Sequence, residues 1–99
     1  MSMAGVLYFW DMSKALTLAR NKVLTGKVTR VGQLITLRNA HLWEERMGKI
    51  PGFLERRVKD PQKWRLVDAH YFATLLDIEA EQAVALINAE VEFRESQQK

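Results

Sequence analysis

Apolar residues recur at helical spacing along most of this chain, and the sharpest break in that pattern falls between Asn39 and Pro61 (NAHLWEERMGKIPGFLERRVKDP). Leu42, Trp43, Arg46 and Met47 lie at helical intervals, with the apolar positions on one face. Asn39 is placed to cap this segment, because a side-chain oxygen there accepts from a free backbone N–H of the first turn. Gly48 ends it, since glycine takes the left-handed conformation without steric cost. Pro51 suits the first turn of a second helix, where its missing N–H would have no partner anyway. Leu54 and Val58, four residues apart, give that helix an inward stripe. Asp60-Pro61 stops it, because the residue before proline is pushed out of the α region. Two short helices around a tight turn are therefore expected over 39–61.

The remaining pattern extends this frame. In Met1–Trp10 the run from Val6 to Trp10 is continuously apolar, so periodicity does not separate strand from helix. It reads as an apolar arm or short edge strand plugging the core, with an arm swapped into a dimer as the alternative. Asp11–Leu24 reads as a helix capped by Asp11 or Ser13. Leu16, Ala19, Val23 and Met12 line one face, and Lys14, Arg20 and Lys22 point elsewhere. Thr25-Gly26 ends it. Lys27–Arg38 fits two patterns. Val31, Leu34, Ile35 and Arg38 suit a helix capped by Thr29, while Val31, Gln33, Ile35 and Leu37 suit a strand. We take the helix, because the Asn39–Gly48 helix needs a neighbour to support it.

Gln62–Leu76 is a helix, or a loop followed by one. Its core stripe is Leu66, Ala69, Phe72, Ala73 and Leu76, with Trp64 packed under the preceding turn. Asp77 opens a last amphipathic helix over 78–93. Ala80, Ala83, Val84, Ile87 and Val91 form its stripe, and Glu79, Glu81, Glu90 and Glu92 occupy other faces. Such a narrow stripe suits packing on the domain or on a second copy, so these five residues are the candidate dimer interface. Residues 94–99 read as a frayed polar tail. The expectation is an all-α single domain over 1–99, a compact bundle of four to five short helices.

Charge changes the picture more than composition does. The chain has 99 residues and a net charge of +3. From Met12 to Leu66 there are 13 Lys/Arg against 4 Asp/Glu, and from Val67 to Lys99 there are 2 against 7. A basic body followed by an acidic segment fits an anion-binding face with a solvated or partner-facing end. The second helix of the central pair concentrates the effect, with Lys49, Arg56, Arg57 and Lys59 in or beside it. The absence of cysteine excludes disulfides and cysteine-ligated zinc. The apolar start is too short to span a membrane and lacks the basic region of a secretory signal, so a cytoplasmic location is expected.

Catalytic chemistry has little to stand on. His41 and His70 are far apart, and packing or surface roles suit them better than general-base work. No histidine pair is spaced to hold a metal, and no glycine-rich phosphate loop or Gly-x-Ser-x-Gly elbow occurs. Trp10, Trp43 and Trp64 are scattered in sequence, which does not suggest a stacking surface for single strands. Neither an enzyme nor a cofactor or metal site is expected.

The segment from Trp43 to Ile78 resembles the helix-turn-helix core of the lambda-repressor-like (Cro/C1, Xre-type) DNA-binding domains. Met47-Gly48-Lys49 matches the turn, Leu54 the central apolar position, and Arg56-Arg57 the exposed end of the recognition helix. Lys59-Asp60-Pro61, followed by Trp64, Leu66, Ala69, Phe72, Ala73, Leu75, Leu76 and Ile78, matches the connection and fourth helix. Three positions differ from the family pattern. Glu44 stands where a small residue is usual. Ile50 stands where Ser or Thr would cap the recognition helix, so that helix is expected to lack its side-chain cap. Glu55 adds an acid to the exposed face.

The resemblance implies a small bacterial or phage transcriptional regulator, a repressor acting as a homodimer on double-stranded DNA. Gly52, Phe53, Arg56 and Arg57 are then base-contact candidates, since Arg pairs with guanine and Phe53 reaches a thymine methyl. Lys49, Lys59, Lys63 and Arg65 are phosphate-contact candidates. Replacing Arg56 and Arg57 together by alanine is expected to abolish DNA binding and leave stability nearly unchanged. Such a regulator is expected to occlude a promoter or contact RNA polymerase at its operator, and the alternative is a protein-interaction or inhibitor module on the same scaffold that no longer reads DNA and binds another host protein.

Overall fold

The computed structural model describes the backbone of residues 3–98 and the side chains of residues 14–98. Five α-helices follow in order: α1 (Met3–Leu24), α2 (Ala40–Arg46), α3 (Phe53–Lys59), α4 (Leu66–Leu76) and α5 (Ala80–Gln97). Single 3-10 turns sit at Val31–Gln33 and Pro61–Lys63. No strand occurs among the described residues, and the architecture is the expected small all-α bundle.

Helix α4 lies at the centre, packed on α5 and on α1. Its stripe of Ala69, Phe72, Ala73 and Leu76 is buried as the spacing predicts. Phe72 is fully enclosed, with Trp43 at 5.5 Å and Trp64 at 6.0 Å between ring centroids, both tilted. Two tryptophans that are scattered in sequence thus meet on one ring. Tilted pairs of this kind add about 0.5–1.5 kcal/mol beyond the area they bury. Leu54 of α3, Ile35 of the loop and Ala83 of α5 complete the centre. Leu66 departs from its expected core position. It is the first residue of α4 and stands 67% exposed.

Several boundaries differ from the expectation. The apolar start is neither arm nor edge strand, since α1 already begins at Met3 and runs unbroken to Leu24. Whether Val6–Trp10 plug the core lies outside the described side chains. Ala19 is buried, Leu16 and Val23 pack beside it, and Gly26 closes the helix at φ +77°. The 27–38 segment is not a helix but a loop around one 3-10 turn. Its β-branched residues disfavour helix, and side chains take the backbone N–H groups a helix would use. Gln33 Oε1 accepts from Thr29 N (2.7 Å) and Arg30 N (3.1 Å). Asn39 Oδ1 accepts from Thr36 N (2.8 Å), and Asn39 Nδ2 donates to Leu34 O (2.9 Å). Asn39 therefore orders the loop rather than capping α2. The loop still reaches the core, through Val28, Val31 and Ile35.

At the other end Asp77 closes α4 in the left-handed conformation (φ 57°), and α5 starts three residues later. Helix α5 continues to Gln97, so the predicted tail is mostly helical. Its Ala83, Leu86 and Ile87 are buried, and Ala80 and Val84 pack against the same core. The candidate dimer stripe is thereby largely consumed by the chain's own fold. Glu90, expected on an outer face, is only 2% exposed.

Candidate nucleic-acid interface

The central pair of helices forms where the pattern places it, but with a longer connection. Residues 47–52 separate α2 from α3, six positions against the three or four of a compact helix-turn-helix. Two glycines shape the turn, Gly48 at φ +67° and Gly52 at φ +89°. Lys49 N closes back onto Glu44 O at 2.8 Å. Gly52 sits at the start of α3, and Pro51 lies in the turn just before it.

Helix α3 has seven residues, too few to be stable alone. Its place is set by buried charge. The Glu44 carboxylate, 4% exposed, accepts from Leu54 N at 2.7 Å and from Glu55 N at 3.4 Å. A negative group thus meets the positive end of the helix dipole. Helix α3 has no side-chain cap of its own, as expected with Ile50 in that place, and the acceptor comes instead from the preceding helix.

The inner face of α3 holds a second buried charge. Arg57 Nε donates to Asp68 Oδ2 at 2.9 Å, and Arg57 Nη1 donates to Phe53 O at 2.9 Å. Asp68 also accepts from Arg65 N at 3.1 Å and so caps the start of α4. Arg57 is 8% exposed and its guanidinium carbon stands 3.6 Å from the Phe53 ring centroid. It joins α3 to α4 and is not a base-contact residue. Phe53 is half-buried, with Lys49 Nζ 5.1 Å from its ring, and packs on the core. Its ring is engaged by two cations.

The outward face carries the rest. Glu55, Arg56 and Lys59 are exposed, and Lys59 Nζ pairs with Glu55 Oε1 at 3.1 Å. An exposed pair one helical turn apart contributes about 0.3–0.5 kcal/mol and opens easily. Lys63 and Arg65 are exposed on the connection to α4. Lys49 is half-buried and lies 4.4 Å from the Tyr71 ring, so it leans toward α4. Of the four base-contact candidates, Arg56 alone is an exposed charged side chain, and Gly52 shapes the turn.

A third buried acid lies on α5. Glu90 accepts from Arg30 Nη1 (3.0 Å), Arg94 Nε (3.0 Å) and Gly32 N (2.9 Å). Burial pushes its carboxyl pKa up. The hydrogen bonds from Arg30, Arg94 and Gly32, with the Arg30 charge, outweigh that and hold it below the ordinary 4.5. Sequence reading missed all three buried acids, although each lies on the inward stripe of its helix. An open apolar groove between α1 and α2, about 340 Å³, is lined by residues including Leu16, Leu34, Leu42 and Trp43. No helix among the described residues is long and apolar enough to cross a membrane. No protein-family model, curated protein or solved structure matches the chain.

Proposed function

We propose that this chain binds duplex DNA through the outer face of α3, as a small regulator of the lambda-repressor-like kind. The carrying observation is the way α3 is mounted. Glu44 holds its start and Arg57–Asp68 its inner face, while Arg56 and Lys59 face out. A short helix held from within and basic without is suited to a DNA groove. Arg56 is the base-reading residue in this proposal. Lys59, Lys63 and Arg65 neutralise phosphates, with Lys49 at the edge. Any second copy would meet the chain by a surface other than the α5 stripe.

Exposed apolar side chains favour one other reading. Ile50 is 71% exposed beside α3, and Val67 and Tyr71 are about half exposed on α4. A protein partner docking there would use this apolar surface. Salt separates the two. Titration against a mixed pool of duplex DNA at low and near-physiological salt, with sequencing of the retained fraction, is the test. A DNA reader enriches a sequence and loses affinity steeply as salt rises, because neutralised phosphates release counterions. Arg56→Ala should remove the enrichment and leave stability within about 0.5 kcal/mol, as expected of an exposed side chain. A chain that enriches nothing at any salt is not a DNA reader.

A further inference from the structure

Helix α3 is held at its far end by a residue that belongs to neither helix of the central pair. Arg94, in the last turn of α5, donates from Nη2 to Val58 O at 2.8 Å and from Nη1 to Lys59 O at 3.4 Å. These carbonyls lie at the C-terminal end of α3, where the helix itself supplies no donors. A guanidinium there also meets the negative end of the dipole. Arg94 is itself steered, because its Nε donates to Glu90 Oε2 at 3.0 Å. Glu90 is anchored from the other side by Arg30 Nη1 and Gly32 N. The Arg30 guanidinium in turn lies 3.8 Å from the Phe93 ring centroid. The chain of contacts runs from the 27–38 loop through Glu90 and Arg94 to the turn of α3 that bears Arg56 and Lys59.

Resting on the duplex-binding reading above, we propose that Arg94, held by Glu90, is a positioning residue for the DNA-binding face of α3. It sets the direction of that helix without touching DNA. With Glu44 at one end and Arg94 at the other, a seven-residue helix presents one fixed outer face. Without Arg94 the last turn is free to fray, and Arg56 and Lys59 lose their common geometry.

The test compares wild type, Arg94→Met and Glu90→Gln for affinity to a mixed-sequence duplex pool across a salt series, corrected for the folded fraction. Glu90→Gln makes the protein more positive by one charge, so simple attraction to DNA would tighten binding. Positioning instead weakens it. Both variants are expected to lose about tenfold in affinity, the scale of a lost charge-assisted hydrogen bond. Because both variants release the same last turn, the slope of log affinity against log salt should change alike in the two. A slope flatter by about one in Arg94→Met, with Glu90→Gln at the wild-type slope, would make Arg94 a phosphate contact and overturn the inference. So would unchanged affinity in Arg94→Met, or tighter binding by Glu90→Gln. If one variant fails to fold, the other decides alone. A wild type that binds no duplex at any salt overturns the proposed function, and this inference with it. That result is distinct from a binding wild type whose variants bind equally well.

Discussion

Replacing Gly32 by alanine tests the buried acid of α5 by the sign of the effect. Gly32 is not in the left-handed region, so its backbone accepts alanine without strain. On backbone grounds alone the change should stabilise the fold by about 0.4–1 kcal/mol, by restricting the unfolded chain. The site says otherwise. A methyl group there would stand 2.7 Å from Glu90 Cδ and collide with Oε1. The carboxylate is the end of a flexible side chain, but it is enclosed and held by Arg30, Arg94 and Gly32 N. Making room means giving up one or more of these bonds, each about 1.5–3 kcal/mol for a charged group. We expect a net loss of about 3 kcal/mol, read by urea denaturation. At about 4–8 °C per kcal/mol for a domain of this size, the melting temperature falls by about 12–24 °C. In a Glu90→Ala background the same substitution should cost nothing or stabilise, because the obstacle is gone. An unchanged or raised stability of Gly32→Ala in the wild-type background would refute the reasoning.

Three further outcomes follow from the same geometry. Arg57→Met should destabilise by about 3 kcal/mol, since it leaves Asp68 buried without its cation. Arg56→Ala should not, and thermal melts of the two single variants separate the two roles. This replaces the expectation that both arginines can be removed at little cost to the fold. Glu44→Ala should lose about 2 kcal/mol, because it strips the buried Leu54 N–H of its acceptor. Hydrogen exchange of the Leu54 and Glu55 amides should then quicken before that of α4. The pH dependence of stability has a fixed sign. The folded Glu90 pKa lies below the ordinary 4.5, so the carboxylate contributes above that value and its contribution is lost as pH falls further. Glu90→Gln should flatten the acid limb of a stability–pH curve, and an unaltered limb would contradict the assignment.

The helical positions of this fold could be read from periodicity where apolar residues were numerous. Both helices of the central pair, the α4 stripe and the glycine closing α2 fall where spacing puts them. The 27–38 segment was not legible for a physical reason. Its apolar residues satisfy both helix and strand periods, and the outcome turns on Gln33 and Asn39 side chains that capture backbone N–H groups. Leu66 was misplaced because period alone does not say where a helix leaves the core. The apolar stripe of α5 matched packing on the domain or on a copy equally well, and only the tertiary arrangement separates those.

Arg57 and Glu90 differ from their sequence reading for one shared reason: residue type places them outside, against their own spacing, and the same spacing marks Glu44 and Asp68. Glu44 lies beside Trp43 and four residues from Ala40, on the inward side of α2. Arg57 lies three residues after Leu54, and Asp68 four before Phe72. Glu90 follows Ala83 by seven and Ile87 by three. Each position is inward by helical geometry, and each side chain is buried. A charge on an apolar stripe must find a partner inside or pay the full cost of desolvation. These four find theirs at helix ends and at one another: Glu44 at the start of α3, Asp68 at the start of α4 with Arg57, and Glu90 through Arg94 at the end of α3. Glu44, Arg57 and, through Arg94, Glu90 all act on α3, whose seven residues are too few to hold it alone. The same charges that look anomalous in a hydrophobic pattern are therefore what gives α3 a defined direction, and the basic residues left on its outer face gain their geometry from those on its inner one.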